Sequence, residues 1–537
     1  MSSWDVLAEG LGLTGSDVIP WGPGVAKVSP DTLWSPAPTK RGRLVLVSAI
    51  TPTSSGEGKT TIAIGLTQGL NAGAERAVVA LRQPSLAPVL GLKGGGAGTG
   101  RSRVEPAQRV DLHLTGDLHA VGAAHNLLSA GVDDAIFRGR LGAAPESVTW
   151  RRVVDIGDRG LRAVTVFPGG KADGVGRVSG FDVTASSEVM AILALATGPA
   201  DLVERLGRVV VALSEDGSVV TARDLGLDGA MGAILADALL PNLLATTEGA
   251  PALLHAGPFA NVAHGCSSVI ATQFALAHAD WVVTEAGFGF DLGGEKFLDL
   301  KAPVADVWPD LVVIVVTLKA LAAHGGAKEA TSEAVLAGLS NLDAHVAACR
   351  AFGLEPVVAI NVFPSDTQAG LTELESALVD RGLRSARCTA ASEGTAGGLA
   401  LAELVRERAT PGVPRPLFAD DAPLRDKLDV IVRRIHGGEG VVFTPAADAD
   451  LARIEAAGFG RSRVCIAKTP LSLSSDPTKV GRPTGHVLTV RGLRAMPGAG
   501  HVVALGGDIL TMPGLPEHAR ARSMGLDARG RPTGLDD

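Results

Sequence analysis

The residues of this 537-residue chain best placed to do chemistry begin with Thr53, Ser54, Ser55, Gly56, Glu57, Gly58, Lys59 and Thr60. A glycine-rich turn closing on Gly-Lys-Thr can wrap backbone N–H groups around phosphate oxygens, and a helix opening there adds its positive end. In that arrangement Lys59 reaches the transferring phosphate and the Thr60 hydroxyl ligates Mg²⁺, so the run reads as an ATP-binding loop. The usual pattern starts on glycine, where this chain has Thr53. The bland alternative is a Gly-Lys turn without a ligand.

Arg82 is the next candidate. It ends an apolar run and precedes Gln83-Pro84-Ser85, and a guanidinium there can grip a carboxylate or a transferred phosphoryl group with two parallel bonds. A plain salt bridge is the competing reading. Residues 93–100 hold five glycines in eight residues, which lets backbone approach an anion or merely makes a flexible loop. His113, Asp117, His119 and His125 fall close together. Their spacing matches no standard metal-ligand pattern, so the histidines read as structural or substrate-orienting. Asp117 reads as a catalytic or Mg²⁺-organising carboxylate.

These residues need elements to hold them. Residues 44–50 (LVLVSAI) form a continuous apolar run, the pattern of a strand buried on both faces. Helical spacing over 60–71 and a second apolar run at 77–81 complete a strand–loop–helix–strand unit, which predicts a parallel sheet with a right-handed crossover. Further parallel strands are expected at 209–213, 281–284, 311–316 and 357–360, and a buried helix at 189–196. The fold class is therefore α/β: a P-loop nucleoside triphosphate hydrolase-like parallel sheet with helices on both faces, plus smaller α/β domains. The expected divisions are 1–326 for ATP binding, 327–439 as a second α/β domain and 440–537 as a C-terminal domain with a loose polar tail. Residues before about 40 read as an irregular lead-in.

Composition narrows the function classes. Apolar residues make up 46% and charged residues 20%, as in a folded globular protein. A net charge of -8 excludes a broad nucleic-acid surface. The apolar runs are too short for membrane spans and no signal peptide is visible. The four scattered cysteines (Cys266, Cys349, Cys388, Cys465) read as reduced thiols of a cytoplasmic protein. There is no tyrosine, so active-site roles common for Tyr fall to other residues.

Taken in order, TPTSSGEGKTT, RQPSLAPVLGLKGGGAG, DLHLTGDLHAVGAAHNLLSA, GFDVTASSEVMAILALA, VVTEAGFGFDLGGEKF, AKTPLSLSSDPTKVGRPTG and GDILTMPGLP resemble formate–tetrahydrofolate ligase over residues 21–516. The resemblance implies a two-step reaction. Formate attacks the γ-phosphoryl group of MgATP to give formyl phosphate, and N10 of tetrahydrofolate then attacks the formyl carbon. It further implies that residues 53–60 bind ATP, Lys59 neutralises phosphate charge, Arg82 holds formyl phosphate, Asp117 assists at the reacting centre and Phe363 lies against the pterin ring. A homotetramer activated by K⁺ or NH₄⁺ is also implied.

The chain departs from the family pattern at Gln83 in place of Glu, at Arg101 in place of Tyr after the glycine-rich loop, at Ala107-Gln108-Arg109, and at Ala391, which aligns with a second pterin-stacking Trp. Three readings remain open: a working ligase, an enzyme passing an acyl phosphate to a non-folate amine, and a non-catalytic ATP-binding homologue.

Overall fold

A computed structural model describes residues 3–36, 41–53, 56–91, 96–169, 174–214, 216–507 and 509–535. Its centre is a 12-stranded sheet. In chain order the strands are β1 (Val18–Gly22), β2 (Val25–Val28), β3 (Arg43–Ala49), β4 (Ala77–Leu81), β5 (Gly98–Thr99), β6 (Ser102–Glu105), β7 (Asn242–Thr246), β8 (Pro251–Leu254), β9 (Trp281–Glu285), β10 (Leu311–Val316), β11 (Val357–Asn361) and β12 (Ser385–Cys388). Across the sheet they lie β1-β2-β7-β8-β4-β9-β3-β10-β11-β12, with β6 pairing β7 and β5. From β8 to β12 every neighbouring pair is parallel. Their carboxyl ends therefore share one edge, where a parallel sheet binds ligands.

The apolar runs explain this core. Alternate residues of one strand enter different layers: Leu44 and Leu46 pack in one, Val45, Val47 and Ala49 in the other. Ile62, Ile64 and Leu66 of α1 (Lys59–Asn71) fill the second layer, while Val121 and Leu128 of α2 (Asp117–Phe137) fill the first. Helices thus cover both faces, as the two-sided burial of β3 requires. The run at 189–196 is a helix (Glu188–Leu195) buried along its whole length.

β3 and β4 are parallel, as expected, and β9 lies between them. Strand pattern shows that a segment is buried, not which strand becomes its neighbour. The run at 209–213 leaves the central sheet. Val210–Leu213 forms an antiparallel hairpin with Val219–Thr221, because the turn at Gly217 (φ 82°) sends the chain straight back. Part of the lead-in is regular, with β1 and β2 forming the sheet's antiparallel edge. The expected boundary at 326/327 passes between β10 and β11, which are hydrogen-bonded neighbours, so the strands of 327–439 extend the first sheet. Residues 440–537 hold small sheets apart from the central one: Arg463–Ala467, His501–Leu505 and Gly492–Met496 in one, Val441–Phe443 with Leu488–Val490 in another. The tail is not loose: Ala519 and Leu535 are buried, and the Arg520 N–H donates to Gly91 O.

Two elements matter below: α3 (Leu318–His324), which follows β10, and α4 (Ser332–Ala351), which precedes β11. Among the described residues, no helix is long and apolar enough to cross a membrane.

Candidate active site

The loop after β3 is shaped by its own side chains. Thr53 donates its N–H and its Oγ1 to Glu57 Oε1, at 2.7 and 3.1 Å, and the Gly56 N–H donates to Thr53 O. Thr53 thus closes the loop where the usual pattern has glycine. Gly58 caps α1 in the left-handed region (φ 76°), and a Cβ there would stand 2.5 Å from Asn361 Nδ2. That amide, from the end of β11, donates to Glu57 O at 3.0 Å and pins the loop from a second strand. Ser54, Ser55 and residues 93–95 lie outside the described residues.

Thr60, in the first turn of α1, donates its hydroxyl to Glu285 Oε2 at 2.8 Å. Glu285 ends β9, the strand between β3 and β4, and is buried. Sequence reasoning missed it. The signal was an apolar strand (WVVT) closing on an acid, but only the strand order shows that this acid faces Thr60.

Arg82 leaves the end of β4. Its Nη1 donates to Pro258 O at 3.3 Å, and a Cβ on Gly287 would meet its Nη2 at 3.2 Å, so the guanidinium lies across the loop that follows Glu285. Among the described residues, neither Lys59 nor Arg82 has a carboxylate partner, and Arg82 Nε is buried without any partner. Two uncompensated cations on one edge of a sheet favour an anion between them. Burial, and next the charges of Lys301, His501 and Arg82, hold the enclosed His264 imidazole well below its usual range and therefore neutral. The segment after Arg82 is fixed by Asp155, which accepts from the Ser85 hydroxyl and from the Leu86 N–H at 3.1 Å. Gln83 is buried, and both its amide atoms lack partners among the described residues.

Asp117 opens α2 after a short helix and a turn. It is buried against Lys27 Nζ (2.9 and 3.2 Å) and Asn242 Nδ2 (2.8 Å), and that amide also donates to Leu254 O at the end of β8. Asp117 therefore sits on the same sheet edge, beside the strand that carries Arg82, with its oxygens already engaged. Phe363 lies two residues past β11 and is 43% exposed, open to a flat ligand. Ala391 follows β12 in the short helix Ala390–Glu393. Two departures from the family pattern touch here: the Arg101 N–H donates to Ala391 O at 2.9 Å, and a Cβ on Gly100 would stand 2.0 Å from that oxygen. Arg101 itself pairs with Glu248 at 2.8 Å.

His125 is structural. It stacks on Trp150 at 4.0 Å between centroids, and burial pushes its pKa down to about 4. His113 and His119 bond to each other at 2.8 Å. Among the described residues, no group of three His, Cys, Asp or Glu side chains could hold a metal. All four cysteines are buried free thiols. A cavity of about 620 Å³ opens at the opposite sheet edge, by Arg43, Trp308 and Asp310 at the starts of β3 and β10, away from these residues.

A family model described as formate–tetrahydrofolate ligase matches residues 1–536. The chain belongs to that family. The formate–tetrahydrofolate ligase family makes 10-formyltetrahydrofolate from formate, ATP and tetrahydrofolate. A formate–tetrahydrofolate ligase of Myxococcus xanthus is 52% identical over 542 residues, covering 99% of this chain and 98% of its own. Those of Saccharopolyspora erythraea and Paracoccus denitrificans are each 47% identical, over 99% and 98% of this chain and 96% and 97% of theirs.

Proposed function

We propose that this chain joins formate to N10 of tetrahydrofolate through formyl phosphate, with residues 53–60 acting as a P-loop for ATP. The observation that carries the reading is the pair of uncompensated cations, Lys59 and Arg82, flanking the Thr60–Glu285 contact. A formate oxygen attacks the γ-phosphorus, the bond to ADP breaks, and formyl phosphate forms. N10 then attacks the formyl carbon, inorganic phosphate departs with the former formate oxygen, and N10 loses its proton. Neither step needs a protein nucleophile, so catalysis falls to positioning and charge compensation.

Lys59 stands at the helix N-terminus to neutralise the γ-phosphoryl oxygens, and Arg82 grips the transferred phosphoryl group. The Thr60 hydroxyl and the Glu285 carboxylate form a hard oxygen donor set that fits Mg²⁺ carried by ATP. When bound, Mg²⁺ supplies charge compensation at the phosphates. Asp117 keeps Lys27 and Asn242 in place beside Arg82 and completes the reacting side of the edge. Phe363 offers one face to the pterin, with Ala391 beneath the other. Activation by K⁺ or NH₄⁺, a homotetramer and a cytoplasmic setting belong to the same reading and rest on the family. The test is ADP formation from ATP with formate, with and without tetrahydrofolate. The reading predicts turnover that requires both, and turnover indifferent to formate sinks it.

A further inference from the structure

Thr51 lies between the end of β3 and the 53–60 loop, and it is fully buried. Each of its polar groups is held by a residue from outside the loop. Its N–H donates to Asn341 Oδ1 at 3.1 Å. Its Oγ1 lies 3.0 Å from Asn341 Nδ2 and 3.0 Å from His345 Nε2, and its carbonyl lies 2.7 Å from His324 Nε2. His324 ends α3, while Asn341 and His345 stand one turn apart on α4.

Two of these three side chains, Asn341 and His324, also hold the C-terminal part of the chain. Asn341 Nδ2 donates to Gly481 O at 2.7 Å, and the Gly481 N–H donates to His324 Nδ1 at 3.3 Å. Gly481 has φ 69°, and a Cβ there would press on His324 O at 3.1 Å. Gly481 belongs to the AKTPLSLSSDPTKVGRPTG segment, which has no part in the site described above. The partners fix the chemistry of the bridge. His324 Nε2 faces a carbonyl and must carry the proton, whereas Nδ1 faces an N–H and must be bare. One neutral tautomer serves both contacts, and a second proton would set two donors against each other at Gly481.

We propose that His324 and Asn341 are positioning residues for phosphoryl transfer: they fix the phosphate loop through Thr51 and lock it to the C-terminal segment at Gly481. The inference rests on the P-loop reading of residues 53–60. A cradle held from both sides needs no rearrangement when charge develops, which is how preorganised donors accelerate phosphoryl transfer.

Two substitutions separate the halves of the bridge. In His324→Gln the amide nitrogen reaches the Nε2 position and still donates to Thr51 O. In His324→Asn the oxygen stays near Nδ1 and accepts from Gly481, while the donor to Thr51 is lost. For the full-length protein we expect His324→Asn to lose about tenfold or more in kcat/KM for ATP, the factor set by one hydrogen bond. His324→Gln, which keeps the loop contact and loses the one at Gly481, should lose less, about threefold, and KM for tetrahydrofolate should hold in both. His324→Asn within twofold of wild type overturns the proposal. So do two variants slowed equally in proportion to their loss of melting temperature, which would make the bridge purely a fold contact. Lys59→Ala run alongside separates the failures. If it also keeps normal ADP formation, the phosphate-loop reading falls; if it loses ADP formation while His324→Asn does not, only the present inference falls.

Discussion

The Thr60 hydroxyl donates to the Glu285 carboxylate at 2.8 Å, joining α1 to the end of the neighbouring strand β9. A serine or threonine hydroxyl beside a strand-terminal carboxylate is the arrangement that orients a nucleotide-bound cation. Glu285→Gln keeps the shape and removes the charge. It should lower kcat roughly ten- to a hundredfold and raise the Mg²⁺ concentration needed for half-maximal rate. A Mg²⁺ titration of ADP formation reads both, and an unchanged Mg²⁺ requirement would place Glu285 outside the nucleotide site.

Lys59 and Arg82 carry the charge argument. Lys59→Ala leaves developing γ-phosphoryl charge uncompensated and should cost about 10²–10³ in kcat. Arg82→Lys should also be poor, because an ammonium cannot reproduce the bidentate fork, with ATP affinity little changed. Steady-state kinetics with a nucleotide titration distinguishes the two, and a fully active Arg82→Lys would make Arg82 structural.

The Lys27–Asp117 pair is buried on both sides, at 0% and 2% side-chain exposure. Removing one member strands the other charge, so Lys27→Met should destabilise the protein by about 3–5 kcal/mol. Adding Asp117→Leu should restore most of the melting temperature. If Asp117 also serves the reacting centre, the double variant stays inactive while folded. Restored activity in that variant would confine the pair to a structural role.

Glu188 gives the sign of one pH effect. Burial pushes its carboxyl up to about 7, opposed by Arg494 and by the N–H groups of Gly498 (2.7 Å) and Ala499 (3.3 Å). The folded state thus holds a proton that the unfolded chain releases near its ordinary value of 4.5. The stability from this group is complete below 4.5 and lost as pH rises toward about 7. Glu188→Gln stays neutral and keeps the acceptor, so its melting temperature relative to wild type should climb between pH 4.5 and about 7 and then level off. A pH-independent difference contradicts this account.

The sequence showed much of this, and what it hid follows from how strands pair. The runs behind β3, β4, β9, β10 and β11 were legible because strands buried on both faces are continuously apolar. Their order was not, since hydrophobic pattern carries no neighbour information. Glu285 was hidden for that reason, and so was the insertion of β9 between β3 and β4. Lys27 and Asn242 stayed invisible because their partner Asp117 lies far away along the chain. Gly58 and Lys59 could be named as candidates because phosphate-loop chemistry, where it occurs, is compressed into a few consecutive residues.

The proposed folate pocket offers a gain-of-function test. Phe363 is exposed and Ala391 lies in the short helix after β12, and on the proposed reading Ala391 leaves one side of the pterin without a ring. Stacking on an aromatic face contributes about 1–3 kcal/mol in comparable sites, so Ala391→Trp should tighten tetrahydrofolate binding roughly tenfold or more without altering ATP affinity. Calorimetric titration of both ligands decides it. Tight wild-type binding that the tryptophan leaves unchanged would mean that other contacts already cover that face.

The most direct test of the central claim follows one atom. If formate is activated as formyl phosphate, a formate oxygen becomes the bridging oxygen and leaves with inorganic phosphate when N10 attacks. With ¹⁸O-labelled formate, ATP and tetrahydrofolate, the account predicts that each phosphate released carries one ¹⁸O from formate, as read by mass spectrometry. Unlabelled phosphate accompanying normal formation of 10-formyltetrahydrofolate would contradict it.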